Sequence, residues 1–314
     1  MSAATPARQP RPRRRQVEDL AAPTAPPLHL VSADPLYDAV AQRSAAAVID
    51  GYSTSFGWAC RLLREPVRTA VRNIYALVRL ADEIVDGPVG ATDPERAGHL
   101  LHELEEETYE ALATGHSTNL VIHAFALTAR RAGIGADLVA PFFASMRTDL
   151  SVTAHDPTSL DAYVYGSAEV VGLMCLRVFV AAPDGRHLVY EELAPGARRL
   201  GAAFQKVNFL RDLADDHDAL GRTYFPGLDV DHLTDAHRDR LLADIDADLA
   251  AAAAVATRLP PSSRSAVLAA HGLFAALSAR LRATPAAQIR TRRVRVPGPR
   301  KALVLARSLA RGSR

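Results

Sequence analysis

The chain has little of what would make it disulfide-stapled, β-rich or membrane-spanning. Its 314 residues include two cysteines, Cys60 and Cys175, too few for a disulfide framework. Both lie in apolar, helix-like surroundings, which points to small core thiols in a reducing compartment. Aromatic residues make up only 6%, tryptophan occurs once, and no alternating apolar pattern persists, all of which disfavours a sheet-based fold. No apolar run approaches the ~18 residues of a membrane span. The arginines near the start are followed by QVEDLAAPTAPP, polar and proline-rich, rather than by the apolar stretch of an export signal. These absences predict a cytoplasmic protein.

Alanine and leucine dominate what is present, and the expectation is an all-α protein. Residues 1–33 read as a basic, Pro/Ala-rich disordered tail. Helical segments then follow at about 35–50, 65–86, 93–114, 117–132, 136–150, 158–181, 188–218, 235–257, 261–283 and 300–311, with short Gly, Pro or Asp breaks. No repeat or linker divides them, so residues 34–290 are expected to form one helical domain, followed by a basic segment at 291–314 with a short helix. The net charge of +2 hides an uneven distribution. Arg8, Arg11, Arg13, Arg14 and Arg15 crowd one end; Arg290, Arg292, Arg293, Arg295, Arg300 and Lys301 crowd the other. Solvated tails are the simple reading, attraction to an anionic membrane surface the second, and no nucleic-acid partner is expected.

The stretch YALVRLADEIVD, Tyr75 to Asp86, carries the first chemical signal. Val67, Val71, Ile74, Val78, Ala81 and Val85 recur at helical spacing as a core-facing stripe. Tyr75, Arg79, Asp82 and Asp86 recur one residue later, which sets them beside the apolar stripe, on the edge of the interior. Glu83 falls outside both. Two carboxylates four residues apart share a helix face and repel unless a cation stands between them.

A matching set follows in QKVNFLRDLADD, Gln205 to Asp216. Gln205, Asn208, Asp212 and Asp216 form a polar stripe that Gly201 extends, while Leu200, Val207, Leu210 and Ala214 cover much of the opposite side. Two such helices suggest facing walls of one site. Four carboxylates around one cavity call for hard divalent cations with oxygen ligands; magnesium, with manganese as the alternative, uses few carboxylates per ion and takes further ligands from water and substrate phosphate. The cavity is therefore expected to bind diphosphate. Leu173, Met174, Val178, Phe179, Phe204 and Phe209 could line an apolar slot, although each taken singly reads first as ordinary core. In YVYGSAEVVGLM, Tyr163 to Met174, the small residues Gly166, Ser167, Ala168 and Gly172 either let helices pack closely or leave room for a ligand.

Taken in order, STSF (Ser53–Phe56), YALVRLADEIVD, YVYGSAEVVGLM, and QKVNFLRDLADD followed by GRTYFP (Gly221–Pro226) resemble the squalene and phytoene synthase family. The basic RVRVPGPRK near the end is similar to bacterial phytoene synthases. The resemblance implies the all-α class I isoprenoid synthase bundle with a central cavity and head-to-head condensation of two prenyl diphosphates. It further implies metal binding by Asp82, Asp86, Asn208, Asp212 and Asp216, with Tyr75 and Arg79 in the catalytic set. Diphosphate or substrate contacts fall to Ser53, Ser55, Phe56, Arg79, Tyr163, Gln205, Asn208, Arg211, Arg222 and Tyr224. Two departures stand out: Asp82-Glu83 where many members read DD, and Ser167-Ala168-Glu169 where many read VAG.

The reaction so implied joins two chains, first to a cyclopropylcarbinyl diphosphate and then, after a second ionisation, to a hydrocarbon. Phytoene from geranylgeranyl diphosphate is the first expectation. Squalene or dehydrosqualene from farnesyl diphosphate is the alternative, with NADPH required only for squalene. Terpene cyclisation shares metal-assisted ionisation but fits the two symmetric motifs less well, and a non-catalytic helical assembly protein predicts degraded acids, whereas all four are intact. His99, His102 and the acids Glu103, Glu105, Glu106 and Glu107 read as solvated surface, and Trp58 as packing.

Overall fold

The computed structural model describes residues 34–53 and 55–312, so the N-terminal arginine cluster lies outside the described residues. Every regular element among them is helical: α1 (Pro35–Tyr52), α2 (Ser55–Cys60), α3 (Val67–Asp86), α4 (Pro88–Thr92), α5 (Pro94–Thr114), α6 (Leu120–Ala132), α7 (Ala136–Thr148), α8 (Pro157–Val164), a π-helical turn (Tyr165–Glu169), α9 (Val170–Ala181), α10 (Tyr190–Leu220), α11 (Asp235–Ala256), α12 (Arg264–Arg282), α13 (Ala286–Ile289) and α14 (Gly298–Gly312). The ten longer segments match the periodicity to within three residues at each end. The short α2, α4 and α13 escape it because four to six residues hold too little of a 3.6-residue period.

Local chemistry sets the boundaries. Asp34, Asp93, Asn119 and Asp156 cap α1, α5, α6 and α8 by accepting hydrogen bonds from the first-turn amides, and Asp156 forms a reciprocal box with Ser159. Gly221 stops α10 in the left-handed conformation at φ 63°, where a side chain would be strained. On α3 the expected stripe is buried, Val78 only partly, and Asn73, Ala76 and Leu77 widen it.

Helix α3 packs on α1, α5, α6 and α9, while α10 packs on α9, α11, α12 and the π turn. The site-bearing helices thus hold central positions. One apolar stretch and one corrected residue bear on the sequence reading. Pro157–Ala181 is a continuous 25-residue helical stretch with an 18-residue window of mean hydropathy 1.6, long and apolar enough to cross a membrane by length and composition. Its sequence did not read as a span because Asp161, Glu169 and Arg177 interrupt it, and 44% of that window is buried inside the bundle. Trp58, expected to pack, is 47% exposed; α2 turns its small residue Ala59 inward and leaves the indole outside.

Glycines set close approaches rather than flexibility here. A Cβ on Gly201 would lie 2.5 Å from the Ala168 carbonyl oxygen, and one on Gly172 2.7 Å from that of Ala197. These contacts make α9 and α10 antiparallel neighbours, with the π turn against Gly201. Gly166 similarly meets the Pro141 carbonyl oxygen of α7, at 2.2 Å from a built Cβ.

Candidate active site

The two acidic stripes lie at the C-terminal ends of α3 and α10, and the connection after α10 ties them together. Arg222, held in place where Thr223 bridges to Ala154, donates from Nη1 to Asp86 Oδ1 at 2.8 Å and from Nη2 to the Asp149 carbonyl at 2.8 Å. Asp149 follows α7 and belongs to neither stripe. Its side chain is only 5% exposed, and it accepts a 2.7 Å hydrogen bond from the Tyr163 hydroxyl. A lone aspartate after a helix has no periodic partner, so nothing in the sequence pattern singles it out.

Electrostatics couple these groups. Desolvation, then the neighbouring Asp86 charge, pushes Asp82 up to about 7. Desolvation followed by Asp212, with Asp86 acting across from α3, pushes Asp216 up to about 7. Desolvation also pushes Asp149 up to about 7, against the Tyr163 hydrogen bond and Arg222. Asp82 keeps 35% of its side-chain surface accessible, so the desolvation comes from concave helix walls around it rather than from full burial. Asp86 thus repels a carboxylate on its own helix and another on α10, which places both stripes in one field.

Arginines balance part of that charge. Arg211 grips Asp212, and Arg293 from the C-terminal segment adds a 2.7 Å contact from Nε. Arg79 pairs with Glu83 and stands 3.9 Å from Asp82, with its guanidinium 4.4 Å from the Tyr52 ring centroid. Glu83, which the stripe left out, is therefore the residue that orients Arg79. The C-terminal arginines are likewise more than a solvated tail, because Arg290 binds both Asp218 and Asp231. Glu105, read as surface, is buried and paired with Arg147 of α7, whereas His99 and His102 are exposed as expected.

The other expected residues that are described lie on or beside the elements that form this mouth. Tyr75 shares a hydrogen bond with Ser53, and burial raises its hydroxyl above the usual range. The Ser55 and Phe56 side chains lie outside the described residues. Gln205 is half-buried one turn before Asn208. Tyr163 and Tyr224 sit one layer behind the acids in an aromatic stack in which Phe209 lies 3.9 Å from Tyr224 and His155 covers both tyrosines.

Among the described residues, no three His, Cys, Asp or Glu side chains converge as a ready-made metal cage. The donor set still fits magnesium, which takes one or two carboxylates and completes its shell with water and phosphate. Asn208 Oδ1, one turn before Asp212, is buried without a hydrogen-bond partner. An orphaned amide oxygen beside a carboxylate pair is a hard ligand in waiting.

One helical turn further in, at Val78 on α3 and Phe204 on α10, an apolar cavity of about 250 Å³ begins. It runs between α3, α9, α10, α11 and α12, and its far part is lined by Phe179, Leu193 and Leu259. Of the six expected slot residues only Phe179 and Phe204 line it. Leu173, Met174 and Val178 are core, and Phe209 belongs to the aromatic stack, because these four point to other faces of α9 and α10. Ser167, Ala168, Gly172 and Gly201 both border the cavity and allow the close helix contact, so the small residues serve both ends. Glu169 is turned away from the cavity and paired with Arg198 at 2.6 Å.

The family model for squalene/phytoene synthases matches residues 49–300. The chain belongs to the squalene/phytoene synthase family. It is 30% identical to a phytoene synthase of Mycobacterium tuberculosis over 279 residues, covering 82% of this chain and 86% of the relative. A 15-cis-phytoene synthase of Paracoccus sp. is 31% identical over 194 residues, 59% of each chain. Among solved structures, a dehydrosqualene synthase in complex with ligand superposes with a TM-score of 0.74 at 20% identity, covering 87% of this chain and 96% of that one. The squalene synthase HpnC from Alicyclobacillus acidocaldarius gives 0.68 at 19%, with 80% and 96% covered. The chain thus has the all-α isoprenoid synthase fold and is a phytoene synthase-like member of a family of head-to-head prenyl transferases.

Proposed function

We propose that the chain condenses two molecules of geranylgeranyl diphosphate to phytoene with the help of magnesium. The observation that carries this reading is the junction of a charged mouth, with its orphaned Asn208 oxygen, to an apolar cavity one helical turn away. Asp82 and Asp86 on one side, and Asn208, Asp212 and Asp216 on the other, would hold the metal. Bound there, magnesium would supply charge stabilisation for departing diphosphate.

The protein's own groups do the rest. Arg79, Arg211 and Arg222 neutralise diphosphate oxygens, and Gln205 and Ser53 orient them. The allylic cation left behind is attacked by the double bond of the second chain, and the tertiary cation so formed loses a proton as the ring closes to a cyclopropylcarbinyl diphosphate; loss of the second diphosphate, rearrangement and loss of a second proton complete the hydrocarbon. The cavity protects these cations by excluding water. Burial pushes the Cys60 thiol up to about 11 and Cys175 up to about 12, so both line the cavity as neutral thiols rather than as thiolates that would trap a cation. Leu193 to Asn208 is 15 residues of one helix, about 22 Å, a length that suits an extended C20 chain anchored at the mouth.

Purified enzyme should be incubated with C15 and C20 diphosphates, with and without Mg2+ and NADPH, and the hydrocarbons identified. Phytoene from the C20 substrate, dependent on Mg2+ and indifferent to NADPH, is expected. A C30 product formed in preference would replace the substrate assignment, and no hydrocarbon from either would refute the reading.

A further inference from the structure

Of the arginines at the mouth, Arg79 is held differently from the rest. Arg222 is fixed by Asp86 and the Asp149 carbonyl, and Arg211 grips Asp212 through two of its nitrogens. Among the three nitrogens of Arg79, only Nη2 donates a hydrogen bond, to Glu83 one turn further on. Nη1 stands 3.9 Å from Asp82, too far for a hydrogen bond, and Nε is buried without a partner. The guanidinium lies instead against the Tyr52 ring, 4.4 Å from its centroid.

Tyr52 does little as a packing residue. It ends α1 with 56% of its surface exposed, and its hydroxyl makes no hydrogen bond among the described residues. Its place is nonetheless fixed. The next residue, Ser53, shares a hydrogen bond with Tyr75 and accepts one from the Gly57 amide, and Tyr75 precedes Arg79 by one turn of α3. The end of α1 is thus tied to α3 at two successive turns, by Ser53 at Tyr75 and by the Tyr52 ring at Arg79.

A guanidinium can stack its flat face on an aromatic ring while its edge donates to oxygens. The Tyr52 ring therefore holds Arg79 without using a donor and leaves Nη1 for an oxyanion. At the other end, Glu83 keeps 39% of its side-chain surface accessible, so water screens its hold on Nη2. A diphosphate carries more charge and competes for the same donors.

We propose that Tyr52 is a positioning residue of the mouth, whose ring keeps the Arg79 guanidinium in place while its edge exchanges Glu83 for a diphosphate oxygen. The proposal rests on the reading above that the mouth binds diphosphate. Tyr52 acts through Arg79 and needs only its ring, which separates this role from that of a hydrogen-bonding or acid–base tyrosine.

Inorganic diphosphate should be titrated calorimetrically, in Mg2+, into the full-length protein and into Tyr52→Phe, Tyr52→Trp and Tyr52→Leu, each checked for folding by circular dichroism. Tyr52→Phe should match the parent and Tyr52→Trp should equal or exceed it, whereas Tyr52→Leu should bind about fivefold more weakly, the size of an exposed cation–π contact. In an Arg79→Met background the same leucine substitution should change the affinity by less than about twofold, because the ring has no cation left to hold. Unchanged affinity in Tyr52→Leu overturns the proposal. So does a loss in Tyr52→Phe as large as that in Tyr52→Leu, which assigns the effect to the hydroxyl, and so does an undiminished loss in the Arg79→Met background, which assigns it to the packing of α1. A parent protein that binds no diphosphate refutes the reading of the mouth and this inference with it, while a parent that binds it with indifference to position 52 refutes this inference alone.

Discussion

Replacing Asp149 by Asn should stabilise the ligand-free protein, and by more at high pH than at low. The carboxyl is 5% exposed and ionises at about 7 in the folded chain against an ordinary 3.8. A folded value raised above the unfolded one means that the native state holds the proton more tightly, so stability is lost as pH rises from about 4 to 7 and stays lost above. With those two values the penalty is about 2 kcal/mol at pH 5 and about 4 kcal/mol at pH 8. Asparagine keeps an acceptor for the Tyr163 hydroxyl and removes the charge. At about 2.1 cal/mol/K per residue over 314 residues, 1 kcal/mol corresponds to roughly 1.5 °C. The variant should thus melt about 2–3 °C above the parent at pH 5 and about 6 °C above it at pH 8, read by calorimetry without divalent ions. A difference that does not change with pH, or a variant less stable at pH 8, would refute the claim that burial rather than hydrogen bonding governs this carboxyl.

Asp82→Asn or Asp212→Asn should abolish hydrocarbon formation while circular dichroism stays native; undiminished turnover in both would contradict their proposed role as metal ligands. Mg2+ affinity, measured calorimetrically, should rise with pH through neutrality, by up to about tenfold per carboxylate between pH 6 and 8, because Asp82 and Asp216, both pushed up to about 7, must shed protons to ligate. A flat profile would count against them as ligands. Gly201→Ala forces a methyl toward the Ala168 carbonyl oxygen and should cost about 1–3 kcal/mol, seen as a lower urea midpoint with an unchanged slope; an unchanged midpoint would mean that the π turn gives way freely.

Much of the fold was legible because helical periodicity is local: the α3 stripe from Val67 to Val85 declares which face is inward without knowledge of the partner. The acid stripes were legible for the same reason, since Asp82 with Asp86 and Asp212 with Asp216 each repeat on one turn. What escaped depends on contacts far apart in sequence. Asp149 matters through Tyr163 and Arg222, 14 and 73 residues away, and Glu83 looked peripheral until Arg79 was seen to turn toward it. Glu105 reads as one of four surface glutamates, and only α7 reveals that it is covered. The slot residues failed differently: an apolar residue on a buried helix faces either a neighbour or a void, and hydropathy is the same in both cases, as Met174 and Phe179 illustrate.

The contact between Arg293 and Asp212 makes the basic C-terminal segment a neighbour of the acidic mouth. If Asp212 ligates a divalent ion as proposed, that ion meets a guanidinium already in residence, so the apparent ion affinity of the intact protein would include the work of displacing it. Enzyme shortened before residue 293 for crystallisation or expression should bind such ions more tightly, and affinities measured on it will not transfer to the full-length protein.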